Sequence, residues 1–228
     1  LKLVVHVMGV APGLATTLAR RPSVLESVLA ADFFREPPSV ADLQIELDGV
    51  LSRARDLEEV LDLSRRWVAE RNFQVGMLSL NRLIGTSEAQ IAWSNVADAA
   101  VRALLPRVQA EFAKVHGRVG GCDLAVVAMG KLGSREMTVG SDLDLIFVYT
   151  TPALEAASDG PRPLPASQYF ARLSQRLINA ITAPTAEGRL YEVDMRLRPS
   201  GKAGPIATSL ASYQRYHRED SWTWEQMA

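Results

Sequence analysis

The feature that most constrains this chain is a single change of hydrophobic period at Gly117-Arg118-Val119-Gly120-Gly121. From Pro12 to about Gly117, apolar residues recur at the three-to-four-residue spacing of helix faces. After the glycine-rich turn, continuous or alternating apolar runs take over, as in strands. Helices followed by strands make an α+β arrangement. We therefore expect a helical N-terminal segment over residues 1–120, then a small sheet flanked by helices over residues 121–228.

Within the helical part, Pro22-Ser23 and Pro37-Pro38-Ser39 mark helix starts. Leu57, Val60, Leu61, Trp67 and Val68 share one face of a helix beginning near Asp56, with Glu58 and Glu59 suited to its N-terminal dipole. Val101, Leu104, Leu105, Val108, Phe112 and Val115 form a second stripe, on a helix that Pro106 should bend or split. In the second part, 124–129 (LAVVAM) reads as a strand buried on both faces, and 142–149 and 189–197 as alternating strands. Residues 151–165 read as an exposed loop, followed by a helix with Phe170, Leu173, Leu177 and Ile181 on one face and Pro184 at its end. A loop follows Pro199, and Thr208 or Ser209 should cap a last short helix to about Arg218.

Composition removes several classes. At 228 residues the chain suffices for one large domain or two small ones. The lone Cys122 excludes an internal disulfide and cysteine-based zinc sites, and favours a reducing, cytoplasmic setting. No apolar run reaches the roughly 18 residues of a membrane span, and LKLVVHVMGVAPG lacks the flanks of a signal peptide, so no membrane association is expected. The formal charge is −1, with 14 basic and 14 acidic residues before position 121 and 11 and 12 after it. Neither half carries the polybasic block of a nucleic-acid binder. Starting at Leu1 and stopping at Met227-Ala228 without a terminating signal, the sequence reads as a piece of something longer. His6, His116 and His217 lack ligand spacing and read as structural or exposed.

The chemistry concentrates in GKLGSREMTVGSDLDLIFVY, residues 130–149. Gly130, Gly133 and Ser134 sit between a strand and a short helix, where glycines admit a ligand and free N–H groups suit phosphate oxygens, with Lys131 or Arg135 adding charge. Taken alone, the glycines read more readily as an ordinary strand-to-helix turn, since Gly is the default turn residue. Asp142 and Asp144, two apart on a strand, point to one face while Leu143, Leu145, Phe147 and Tyr149 point to the other. Such carboxylates repel unless a cation lies between them, and hard oxygen ligands favour Mg²⁺ or Mn²⁺; the alternative is a solvated strand end. In RLYEVDMRLRP, Glu192, Asp194, Arg196 and Arg198 alternate with an apolar face. If that strand lies beside 142–149, Asp194 completes a three-carboxylate metal site and the arginines hold phosphates, which points to phosphoryl or nucleotidyl transfer.

A Gly-Ser turn, an Asp-x-Asp strand and a later strand carboxylate together resemble the nucleotidyltransferase superfamily of DNA polymerase β. GKLGSREM-TVGSDLDLIFVY, YEVDMRLRPSG and the closing SWTWEQMA are similar, over about residues 72–228, to the glutamine synthetase adenylyltransferase family. Ser134 departs from that family's usual glycine. The resemblance implies a cytoplasmic bacterial enzyme with two nucleotidyltransferase domains. One attaches AMP to a tyrosine of glutamine synthetase, and the other removes it by phosphorolysis. YEVDMRLRPSG followed by Trp222-Thr223-Trp224-Glu225 looks like the C-terminal, adenylylating half.

By this resemblance Asp142 and Asp144 hold Mg²⁺ on the triphosphate of ATP. Asp194 binds a second Mg²⁺ and helps activate the tyrosine hydroxyl, while Gly130, Lys131, Gly133, Ser134, Arg196 and Arg198 face the phosphates. Ser141 orients Asp142, Lys202 reaches the nucleotide, and Trp222 and Trp224 pack a helix end or stack on adenine. The implied partners are glutamine synthetase and the signalling protein PII. Two rivals stand beside this expectation: the deadenylylating half with the same aspartates, and a helical interaction module docking on glutamine synthetase or PII.

Overall fold

The computed structural model describes residues 14–15, 18–19, 33–151 and 156–222. The helix start at Pro22-Ser23, His6 and Trp224 lie outside them. Helix α1 (Val40–Leu51) begins where expected, with Ser39 Oγ accepting from the Asp42 N–H at 3.2 Å. Helix α2 (Leu57–Leu80) is capped by Asp56, whose Oδ1 accepts from the Glu59 N–H at 2.9 Å. Helix α3 (Thr86–His116) runs unsplit through Pro106. The pyrrolidine is exposed, so the carbonyl that loses its donor, that of Arg102, is on a face open to water.

The sheet has four strands: β1 (Leu124–Met129), β2 (Leu143–Tyr149), β3 (Val193–Asp194) and β4 (Ala207–Ser209). Between β1 and β2 lies one helical turn, α4 (Gly130–Gly133); α5 (Ala166–Thr182) precedes β3, and α6 (Leu210–Glu219) follows β4. Strand β1 runs antiparallel along one edge of β2; β3 and β4 run parallel along the other, beside 143–144 and 147–149 respectively. This is an α+β fold with a mixed sheet.

Three expectations change. Strand β1 is not buried on both faces: it is an edge strand, and Ala125 and Ala128 are exposed. The doubly buried strand is the central β2, where Ile146 and Val148 are as sequestered as Leu143, Leu145, Phe147 and Tyr149. The strand expected over 189–197 shrinks to two residues, because after Asp194 the chain turns, with Arg198 N–H donating to Met195 O at 3.3 Å. Strand β4 occupies what read as loop, and Ser209 then caps α6, its Oγ accepting from the Ser212 N–H at 3.2 Å.

One apolar cluster joins Leu43, Leu47, Trp67, Leu104 and Phe112 of the three long helices to Leu143, Leu145 and Phe147 of β2 and Leu173 and Leu177 of α5. Tyr149 stacks on Phe170 at 4.6 Å between centroids. The aspartate-bearing end of β2 is therefore carried on a core that the helices help to build.

Candidate active site

Parallel pairing of β2 with β3 sets Asp144 opposite Asp194, with Leu143 opposite Val193. Paired positions share a sheet face, so the two carboxylates are neighbours. Asp142 precedes β2 by one residue and is exposed. The turn that delivers it is closed by Ser141, which is 9% exposed: its Oγ accepts from the Thr138 N–H at 3.0 Å and contacts Thr138 Oγ1 at 3.0 Å. Ser141 thus fixes the approach to Asp142 by bonding backward.

The electrostatics tie the three aspartates together. Burial pushes the Asp144 carboxyl above its ordinary value; Asp142 and Asp194 push it further, and Arg196 and Lys131 oppose them. Asp194 goes the other way: hydrogen bonds from Arg196 hold it below the usual carboxylate range, with Lys202 assisting. Arg196 donates from its main-chain N–H to Oδ1 at 2.8 Å and from Nε to Oδ2 at 2.6 Å. Its own affinity for the proton is raised by Asp194 first, then by Asp142 and Asp144. A guanidinium thus occupies the field of three carboxylates. Among the described residues no three His, Cys, Asp or Glu side chains converge closely enough to hold a metal ion together; both Asp194 oxygens are engaged by Arg196.

The glycine turn is fitted to Asp144. Gly130 has φ +50, which favours glycine, and a Cβ there would lie 2.3 Å from Asp144 Oδ2, so a side chain would also displace that carboxylate. At Gly133 a Cβ would lie 2.8 Å from the Ala128 carbonyl oxygen. The helix expected after these glycines is instead the single turn that contains them. Ser134 N–H donates to Gly130 O at 2.9 Å and its hydroxyl to Glu136 Oε2 at 3.0 Å. Lys131 is exposed and close enough to act on Asp144. Arg135 belongs elsewhere, pairing with Asp98 of α3 at 2.8 Å. A cleft of about 430 Å³ lined by Asp98, Arg102, Leu132, Gly133 and Arg135 lies between α3 and β1 and includes none of Asp142, Asp144 and Asp194.

The alternation that put Arg196 and Arg198 on one strand face fails because β3 ends at Asp194. Arg196 folds back to the aspartates. Arg198 clamps its own loop, donating to the carbonyls of Met195 at 2.9 Å, Lys202 at 3.0 Å and Gly204 at 3.2 Å. That clamp, with Ser200 at φ +61, holds Lys202 near Asp194. Trp222 is 70% exposed and does not bury itself against the sheet. His116 is structural, its Nδ1 lying 2.7 Å from the Arg162 carbonyl oxygen. The partners Thr138 and Glu136 escaped the sequence reading, since hydrogen bonds two and three residues apart leave no periodic signal.

Among known proteins, the family profile of glutamate-ammonia ligase adenylyltransferase matches residues 1–228. The chain belongs to this family. Relatives called bifunctional glutamine synthetase adenylyltransferase/adenylyl-removing enzyme include those of Brucella suis, 48% identical over 228 residues, and of Xanthobacter autotrophicus and Mesorhizobium japonicum, each 46% identical over 228 residues. Each alignment covers 100% of this chain and 23% of the relative, so this family member spans about a quarter of its relatives' length. Among its described residues no helix is long and apolar enough to cross a membrane.

Proposed function

We propose that this chain is a nucleotidyl-transfer unit of a glutamine synthetase adenylyltransferase, moving AMP from ATP to a tyrosine of glutamine synthetase. The observation that carries this is the pairing of Asp144 with Asp194, with Asp142 and the cations Arg196 and Lys131 in the same field. Asp144, partly buried and with two further carboxylates raising its proton affinity, marks a donor set suited to a hard divalent cation. Asp142 and Asp144 would hold one Mg²⁺ and Asp194, once Arg196 turns from it toward phosphate, a second; the ions would supply charge neutralisation on the triphosphate of ATP.

The protein's own residues do the rest. Asp194, once Arg196 turns from it toward phosphate, helps activate the incoming hydroxyl and accepts its proton, because a tyrosine of pKa about 10 is a poor nucleophile at neutral pH. The phenolic oxygen bonds to the α-phosphorus, the bond to the β-phosphate breaks, and pyrophosphate leaves with the electron pair. Lys131 and Arg196 sit where they can hold that leaving charge. Gly130 and Gly133 keep side-chain bulk away from the phosphates, and the Ser134 turn lies beside them. Arg198 acts through the loop that places Lys202.

Direction rests on YEVDMRLRPSG and the Trp222-Thr223-Trp224-Glu225 run, which resemble the adenylylating half. A cytoplasmic setting and regulation through PII belong to the same reading. The relatives' name covers both reactions, so the test is paired. Incubation of unmodified glutamine synthetase with the chain, Mg²⁺ and α-labelled ATP should yield labelled tyrosine and pyrophosphate. ADP from adenylylated glutamine synthetase and phosphate, with no incorporation of label, would assign the removing half instead.

A further inference from the structure

Between the end of α5 and the start of β3, residues 183–192 form a strap that is fastened to α2. Pro184 has no N–H, so the Ala180 carbonyl loses the donor that a continuing helix would provide. Arg65 of α2 takes that place. Its Nη2 donates to Ala180 O at 2.9 Å and Ala183 O at 2.6 Å, its Nε to Gly188 O at 2.9 Å, and its Nη1 to Leu61 O at 2.9 Å. Gly188 O also accepts from Thr185 N–H at 2.9 Å, and Gly188 N–H returns a bond to Thr185 O at 2.9 Å. Arg65 is 2% exposed. Burying a guanidinium is costly unless its donors are used, and the carbonyl end of α5 supplies the partial negative charge that suits it. Alongside, Arg66 Nε pairs with Glu187 Oε1 at 3.0 Å, and the buried Tyr191 hydroxyl lies beside Asn72 of α2.

Beyond the strap, Glu192 O accepts from Leu143 N–H at 2.9 Å and Asp194 takes its position opposite Asp144. A two-residue strand supplies little ladder of its own to hold register. We propose that Arg65 is a positioning residue for the aspartate site: by pinning the strap to α2 it sets Asp194 against Asp144, so the helical segment helps to build the active site. This rests on the nucleotidyl-transfer reading of the aspartates.

Hydrogen exchange of the metal-free 228-residue chain and the Mg²⁺ dependence of AMP transfer test it together. In Arg65→Met, peptides covering 183–194 should exchange faster by on the order of tenfold while β1–β2 peptides keep wild-type protection. The half-saturating Mg²⁺ concentration should rise about tenfold, with KM for ATP at saturating Mg²⁺ within about twofold of wild type. Arg65→Lys, whose single ammonium cannot serve the same fork of carbonyls, should fall between and carries the test if the Met variant does not fold. Wild-type strap exchange and Mg²⁺ requirement in a folded variant would overturn the proposal, as would acceleration spread evenly over the core. A loosened strap in a protein whose wild type transfers no AMP would instead overturn the functional reading and leave the anchoring by Arg65 supported.

Discussion

At the scale of single residues, Asp144 carries the strongest expectations. Its raised proton affinity means that the folded protein takes up a proton there more readily than the unfolded chain. This contribution to stability is present at low pH and is lost as pH rises through the raised value. Above that window the ionised group costs the metal-free fold something. Asp144→Asn should therefore melt higher than wild type at neutral pH without metal, by about 2–4 °C for each kcal/mol of desolvation and repulsion relieved at this chain length, while Mg²⁺-dependent AMP transfer falls by about a hundredfold or more. Calorimetry and a labelling assay check the two halves. Asp194 has the opposite sign: its stabilisation is present above the ordinary carboxylate value and is lost as pH falls through the lowered one. Arg196→Gln should move the Asp194 titration upward, as followed by carboxyl carbon NMR; an unmoved titration would mean that Arg196 does not set it. Gly130→Ala should lose activity and roughly 1–3 kcal/mol of stability in chemical denaturation, because the added methyl meets both Asp144 and a strained positive φ.

At the scale of elements, the clearest case is Pro106, which α3 carries on its exposed side without breaking. Pro106→Ala should stabilise the chain by about 1 kcal/mol or more, since it restores an N–H donor and removes a clash with the preceding turn; an unchanged denaturation midpoint would contradict this. The helices were legible because capping and period agree: Ser39, Asp56 and Ser209 each sit where an N-cap should and make the bond. Strand burial was not legible. LAVVAM looks like a central strand by composition, yet its place at the edge is a property of sheet order, which local pattern does not encode. RLYEVDMRL alternates like a long strand, but Arg196 turns back onto Asp194 and ends it. Asp194 still comes to lie beside Asp144, because the two need only one register position in common. Arg198 lies beyond the strand's end and is a loop clamp instead.

At the scale of the whole molecule, the helical segment and the sheet share one apolar cluster, and Arg65 adds a buried polar tie between α2 and the approach to β3. A fragment of residues 121–228 should therefore fail to reach a native fold by near-ultraviolet circular dichroism, while the 228-residue chain unfolds in one calorimetric transition. A well-folded fragment would show the sheet to be self-sufficient. The central claim is that Asp142, Asp144 and Asp194 form the nucleotide site. A crystal structure of the chain with Mg²⁺ and a non-hydrolysable ATP analogue tests it most directly. Metal density is expected against Asp142 and Asp144, the triphosphate toward Gly130–Gly133, and the Arg196 guanidinium moved from Asp194 toward phosphate. Analogue bound away from the three aspartates, with Arg196 still on Asp194 and no metal between Asp142 and Asp144, would contradict it.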